Sequence, residues 1–497
     1  MQRGLDYRMA DRRVDVWIGA TLTLTALALV YFGIMHRPVV GMADNGDFLR
    51  VMKTAGFDYA SDGLTYEAKY FDYAILQYRN APLGFGGYAS THLLFLFVAK
   101  AANALLHPGG LFHITTLGAL YAACFAAAIV LIYTGLQASR ATRLAVAAPL
   151  VAVYTDVAYA AYYHSFYGEP VSLIGFLLAI GCGLHAARAP ERSRLWAYFA
   201  AVVLFMGAKS QNFAVGLVFS ALLLALGRAA AEPRTRRLAL ALSAAVLLLT
   251  AAFYAAAPKE LKKINLYQTV FYGVLKHSDD VPADLRELGL PAELAPLAGT
   301  NFFEAGTAIP QTSPALDALF YDRIGHLDVA LYYAKHPRKL LDRFERAADD
   351  ASTIRPYYLG SYSKEEGRGP GAVHLEGAWW SEGKKAHMPR SVYAALAVAA
   401  LYTALLASRR VAALTGLRAH GALYGAPFIA AIAYVTPLLG DGDADLAKHL
   451  FLYNVAFDFM AVCAAGLAAA CLARLAAAAA MRLYRRPSAG QVGGGRP

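Results

Sequence analysis

Apolar runs long enough to cross a bilayer recur along the whole chain, near 16–36, 111–135, 144–163, 171–187, 238–257, 391–408, 421–440 and 449–473. Inside hydrocarbon each run has to satisfy its own backbone N–H and C=O groups, which only a helix or a closed barrel does. A further apolar stretch, 196–228, is interrupted at Lys209-Ser210-Gln211-Asn212 and reads as two short spans rather than one. The chain is therefore expected to be an all-α polytopic membrane protein, a bundle of about ten transmembrane helices. Its composition, 58% hydrophobic and 16% charged, belongs to the same class.

Basic residues set the expected orientation, because cytoplasmic loops retain positive charge. Arg3, Arg8, Arg12 and Arg13 precede the first span, and Arg482, Arg485 and Arg486 follow the last, so both termini are expected in the cytoplasm. Four inner loops carry Arg140 and Arg143; Arg188, Arg192 and Arg194; Arg228, Arg234, Arg236 and Arg237; and Arg409, Arg410 and Arg418. The lysines fall instead in or beside the outer segments, a bias for which we have no physical account. The stretch 91–106 is also apolar, but letting it cross would invert several of these clusters. With Lys100 in its middle and Pro82, Gly84, Gly86 and Gly87 before it, it is expected to lie along the outer surface as an interfacial helix.

This topology divides the chain into an N-terminal membrane module, 1–257, that includes an outer loop at 37–110; a small, mainly helical extracytoplasmic cap, 258–390; C-terminal spans, 391–486; and a glycine-rich tail, 487–497, expected to be disordered. Helical periodicity is strongest in the cap around 316–350, including Leu327, Leu331, Leu340 and Phe344. The net charge of +11 reflects topology and contact with anionic lipid heads, and no nucleic-acid signature is present. Cys124, Cys182, Cys463 and Cys471 all lie in spans, so no disulfide framework supports the outer regions. No zinc spacing, Walker loop or dinucleotide fingerprint occurs. No cofactor is expected; a divalent metal fits the chemistry without a motif to hold it. The first span, lacking a small-residue cleavage site before His36, reads as a retained signal anchor.

Polar residues near the outer face are the candidates for chemistry. Asp44 and Asp47 sit in Asp44-Asn45-Gly46-Asp47-Phe48, where the chain must turn after the first span. One carboxylate can cap the following helix, the reading that fits Asp47 better than Asp44, while the other faces a cleft. Glu169 lies in the short loop Tyr162-Tyr163-His164-Ser165-Phe166-Tyr167-Gly168-Glu169-Pro170, either as a helix N-terminal carboxylate or as a second acidic group of a site. The aromatic residues around it suit an interfacial belt or a sugar-stacking surface, with His164 and Tyr167 as substrate contacts. Lys209, flanked by Gln211 and Asn212, is a cation at membrane depth, which either grips a lipid phosphate or snorkels to the interface. Lys448, His449 and Arg355 are further phosphate candidates, and Tyr453 a substrate contact. Asp441, Asp443 and Asp445 lack EF-hand spacing and read as solvated loop charges. Asp156 lies inside a span and needs a partner or a polar cavity.

A cytoplasmic N-terminus, a long first outer loop opening on an acidic motif, an interfacial helix and a second acidic residue in the next outer loop together resemble the C-type (GT-C) integral membrane glycosyltransferases. Protein O-mannosyltransferases and lipid A aminoarabinose transferases belong to that superfamily, and the likeness covers roughly residues 10–260. It implies a sugar donor linked to polyprenyl phosphate and an extracytoplasmic glycan, lipid or protein acceptor; the alanine- and arginine-rich composition and the lack of outer disulfides point to a bacterial inner membrane. By position Asp44 or Asp47 matches the first acidic site and Glu169 the second; the expected roles are Asp44, assisted by Asp47, as base, Glu169 to orient donor or acceptor, and Lys209, Lys448 and His449 to hold the phosphate. The acidic pair of the superfamily is adjacent, whereas Asn45 and Gly46 intervene here. A transporter or flippase of lipid-linked glycans, and a non-catalytic subunit of envelope polysaccharide assembly, are the alternatives.

Overall fold

The computed structural model describes residues 2–61, 64–84, 89–418 and 421–484, with the side chains of 2–12, Glu67 and 482–484 outside the description. The tail expected to be disordered, 487–497, lies outside the described residues. Among the described residues seven helices are long and apolar enough to cross a membrane, or up to nine if each of two bent pairs is one span. The first, α1 (Arg13–Met35), is followed by α2 (His92–Leu106), α3 (Ile114–Gly135) and α4 (Arg140–Tyr154). Thr155 and Asp156 then break the helix, which resumes over Val157–His164 at an angle of 62°. The bundle continues through α5 (Glu169–Arg188), α6 (Arg192–Met206), α7 (Ser210–Ala229) and α8 (Pro233–Ala255). After the cap come α9 (Val392–Ala407), α10 (Gly421–Gly440) and α11 (Phe451–Met481). Pro170 and Pro233 sit in the first turns of α5 and α8, where a missing N–H leaves no bond unmade.

Beyond these nine, α6 brings the total to the expected ten, since it runs from the arginine-rich side, where Arg192 pairs with Glu232, to the cap side, where Lys209 pairs with Glu169. It does so although its 15 residues reach about 22 Å, short of the roughly 30 Å hydrocarbon core. The arginine-rich connections do gather on one face, opposite the cap. Asp15 near the start of α1 accepts from Arg140 and Arg143, each at 3.0 Å. Thr142 Oγ1 donates to Thr415 O at 3.0 Å, and Arg192 pairs with Glu232 at 3.1 Å.

On the other face, the loop after α1 holds an antiparallel sheet that the sequence reading did not anticipate: β1 (Phe57–Tyr59), β2 (Gln77–Asn80) and β3 (Leu111–His113), in that order. Tyr78 in β2 stands opposite Tyr59 and Phe112. The rings of Tyr78 and Phe57 pack on Phe166 at centroid distances of 4.6 and 5.4 Å, which ties the first loop to the loop carrying Glu169. Lys100 of α2 donates to the carbonyls of Ala55 and Gly56 at 3.1 and 2.7 Å, while Leu94 and Leu105 stay exposed. Both ends of that helix lie on the cap side, Thr91 N–H bonded to Gly207 O at 2.9 Å and Asn103 Nδ2 to Leu111 O at 2.8 Å, so it does not cross.

The cap is built mainly of short helices around its own apolar core, which includes Tyr267, Phe271, Leu294 and Phe320. The periodic stretch forms two helices, His326–Lys335 and Pro337–Ala351, divided where Pro337 restarts the chain. Their buried face differs from the expected one: Leu327 and Leu331 are 72% and 52% exposed, whereas Val329, Tyr332 and Tyr333 are buried. Two buried carboxylates fasten the cap to the bundle. Asp156 accepts from the backbone N–H of Trp380 and Ser381 at 2.8 and 3.0 Å and from Ser381 Oγ at 2.8 Å, which supplies the partner its position required. Asp458 in α11 pairs with Lys384 at 2.7 Å and accepts from Tyr159 Oη at 2.6 Å and Trp380 Nε1 at 2.8 Å. Among these, Trp380, Ser381 and Lys384 belong to the helix Trp379–His387, bent 116° from α9.

Candidate functional site

Four separate connections on the cap side converge on one polar cluster: the Asp44–Phe48 turn, Glu169, the Lys209–Asn212 break and the Asp441–His449 loop. In the first, Asp44 Oδ1 accepts from the backbone N–H of Gly46 and Phe48 at 2.7 and 3.1 Å, and Oδ2 from Tyr59 Oη at 2.8 Å. Asp44 is buried. Asp44 thus closes the turn with both oxygens engaged, whereas the helix that follows, Leu49–Met52, has no side-chain cap from either aspartate. Burial outweighs these bonds and pushes the Asp44 carboxyl up to about 6. Gly46 sits at φ +99°, a conformation costly for any residue with a Cβ.

Asp47 points the other way. Its Oδ1 lies 2.7 Å from Arg50 Nη2 and its Oδ2 pairs with Lys448. Burial alone would raise its pKa, but Arg50 and Lys448 hold it well below the usual carboxylate range. Lys448 is fully buried, yet Asp47, Asp445 and Glu169 outweigh that burial and keep its pKa above the ordinary lysine value. Its ammonium lies 4.8 Å from the Tyr167 ring centroid. Tyr167 Oη in turn donates to Ala43 O at 2.8 Å and accepts from Asn45 N–H at 2.9 Å, so Tyr167 positions the acidic turn.

Glu169 opens α5, buried, with Oε1 2.6 Å from Lys209 Nζ and with no hydrogen-bond partner for Oε2 among the described residues. The close approach depends on Gly168, where a Cβ would meet Ala208 O at 2.8 Å. Gln211 and His449 bond reciprocally, Nε2 to His449 O at 2.8 Å and Oε1 with Nδ1 at 3.2 Å. His449 Nε2 lies 2.8 Å from Asp441 Oδ2. Asn45 Nδ2 donates to Asp445 Oδ2 at 2.8 Å, and Asp443 meets His277 at 2.6 Å. Asp441 and Asp443 are thus half-buried partners of histidines, which corrects their reading as solvated charges, whereas Asp445 is exposed as that reading has it.

Four other assignments change. His164 is buried, with Nδ1 2.6 Å from Val40 O, and supports the chain below the acidic turn instead of facing substrate. Tyr453 packs against Tyr434 and Phe457 at 4.9 and 5.7 Å within the bundle. Arg355 is spent on the cap, donating to Ser361 Oγ at 3.1 Å and His374 O at 2.6 Å. Asn212, buried, donates to Ser172 Oγ at 2.8 Å and braces the start of α7. Arg50 was missed, although its i,i+3 spacing from Asp47 on a short helix is the signal for such a pair.

Two cavities meet at the cluster. A cleft of about 330 Å³ opens between the cap-side ends of α7, α8 and α10, with apolar walls from Phe213, Tyr254 and Leu439 and a polar lining from Arg50, Gln211, Asp441 and His449. A second cavity, about 20 Å³, is lined by Asp47, Arg50, Glu169 and Lys209. The smaller has room for about one water molecule or hydroxyl group. Among the described residues, no group of three or more His, Cys, Asp or Glu side chains is placed to hold a metal ion.

No curated protein and no solved structure matches the chain. A family model described as the YfdI N-terminal transmembrane domain matches residues 8–480, nearly all of the sequence. With its membrane-crossing helices and its matched length, the chain belongs to the YfdI N-terminal transmembrane domain family.

Proposed function

We propose that this membrane protein is a glycosyltransferase that moves a sugar from a polyprenyl-phosphate donor to an acceptor hydroxyl at the outer face of a bacterial inner membrane. The observation that carries the reading is the nearness of an apolar-walled cleft, at the cap-side ends of the spans, to a hydroxyl-sized cavity lined by Asp47 and Glu169, with Arg50 bordering both. A prenyl chain occupies apolar walls open toward lipid, and a phosphate at its end reaches cationic and hydrogen-bonding groups.

In this reaction the acceptor oxygen forms a bond to the anomeric carbon as the bond from that carbon to the phosphate oxygen breaks. The electron pair leaves with the polyprenyl phosphate. The acceptor proton passes to Asp47, the carboxylate of the acidic turn that lines a cavity; Asp44 holds the turn in shape. Glu169, fixed by Lys209, offers Oε2 to orient the acceptor. Positioning and electrostatic stabilisation of the departing phosphate supply the remaining rate enhancement.

The test is sugar release from a panel of radiolabelled polyprenyl-phosphate sugars by purified protein in lipid nanodiscs, wild type against Asp47→Asn. Consumption of one donor by wild type, lost in the variant, is the expected result. Donor binding without turnover, equal in both, would turn the reading toward a transporter.

A further inference from the structure

Arg50 borders both cavities. It lines the cleft beside Gln211 and His449, and the small cavity beside Asp47 and Glu169. The two lysines expected to hold phosphate are placed differently: Lys448 is fully buried against Asp47, and Lys209 is 10% exposed and paired with Glu169. The Arg50 side chain keeps 30% exposure while holding Asp47 at 2.7 Å.

We propose that Arg50 exchanges partners, leaving the Asp47 carboxylate for the phosphate of a lipid seated in the cleft. The assignment rests on the transferase reading for its chemistry and on the shared cavity wall for its geometry. As the glycosidic bond to phosphate breaks, the phosphodiester with one negative charge becomes a monoester with up to two. In the same step Asp47 accepts the acceptor proton and loses its charge. A guanidinium between the two follows the negative charge, and its fork matches phosphate as well as carboxylate without a change of protonation. Arg50 is thereby the group that couples departure of the phosphate to protonation of the base. A resting ion pair with Asp47 also keeps that base engaged until a phosphate arrives.

The experiment is a double-mutant cycle on binding of long-chain polyprenyl monophosphate, the sugar-free product, to the full-length protein in nanodiscs. Asp47→Asn reproduces a neutral residue 47 and is expected to tighten binding about tenfold, whereas Arg50→Ala weakens it by about tenfold or more, with partial recovery in Arg50→Lys. In the Arg50→Ala background, Asp47→Asn is expected to change nothing. Equal tightening in both backgrounds would mean simple charge repulsion and would overturn the exchange, as would an Arg50→Ala protein that binds like wild type. Inorganic phosphate is the second arm; affinity equal to that of the lipid form would put the phosphate outside the apolar cleft and also overturn it. Melting temperatures screen the variants for folding, with Arg50→Gln replacing any alanine variant that fails. A wild type that consumes no sugar donor while the cycle behaves as stated would remove the transferase reading and leave the Arg50 exchange standing.

Discussion

Lys384 of the cap and Asp458 of α11 form an ion pair 2.7 Å long with almost no exposure of either side chain. A charge inside a span is tolerated only with such a partner. Lys384→Met is expected to leave Asp458 unpaired and cost about 3–5 kcal/mol of stability. Replacing both residues with apolar ones should recover part of that loss. Thermal unfolding of the two variants in one detergent checks this; a single variant as stable as wild type would contradict it.

Asp47→Asn should lower transfer by about 10²- to 10⁴-fold, the range for loss of a positioned base, and should also lower the melting temperature, because it removes the charge opposite the fully buried Lys448. Glu169→Gln likewise removes the charge opposite the nearly buried Lys209 and lowers stability, but it should reduce turnover less, because Glu169 orients the acceptor and does not take its proton. Steady-state rates alongside unfolding curves separate the two effects. Similar profiles for both variants would argue against distinct roles.

Asp44 predicts a pH dependence of stability rather than of catalysis. With its carboxyl raised to about 6 from 3.8, the fold favours the protonated form. Its contribution is fully present below the unfolded value and is lost as pH rises through about 6. Relative to Asp44→Asn, wild type should therefore lose stability between about pH 4 and pH 6. Parallel melting curves across that window would show that Asp44 does not titrate there.

Gly46→Ala meets no neighbouring atom, so any loss comes from the backbone at φ +99°. The strain, about 1–3 kcal/mol, falls on the turn that aims Asp47, and transfer should drop more than stability does. Comparing the turnover of this variant with that of Gly33→Ala, where added Cβ also meets nothing, is the measurement.

Much of this architecture was legible in the chain because a bilayer imposes few solutions. Apolar length located the spans, and arginine clusters marked connections that share one face. The polar cluster was legible too, since Asp47, Glu169, Lys209, Gln211, Lys448 and His449 all lie in breaks on the cap side. What periodicity could not reveal was direction. Locally only Arg50, three residues on, sets Asp47 apart from Asp44; the rest of the choice depends on Tyr59 and Lys448, one 15 residues away and one 401. The three-stranded sheet escaped notice because each strand is only three or four residues long, and its aromatics pack against Phe166 from a later loop. The exposure of Leu327 and Leu331 likewise reflects where the cap meets its neighbours, which a helical repeat does not encode.

The amphipathic helix α2 gives the acidic turn a fixed elevation. Its Leu94 and Leu105 face outward, while Lys100 grips the Ala55 and Gly56 carbonyls just beyond the turn. A helix lying at the headgroup boundary acts as a float, and whatever is fastened to it rides at a set height above the hydrocarbon. On that course bilayer thickness would bear on the site, because a thinner membrane would shift such a float relative to the span ends that frame the cleft.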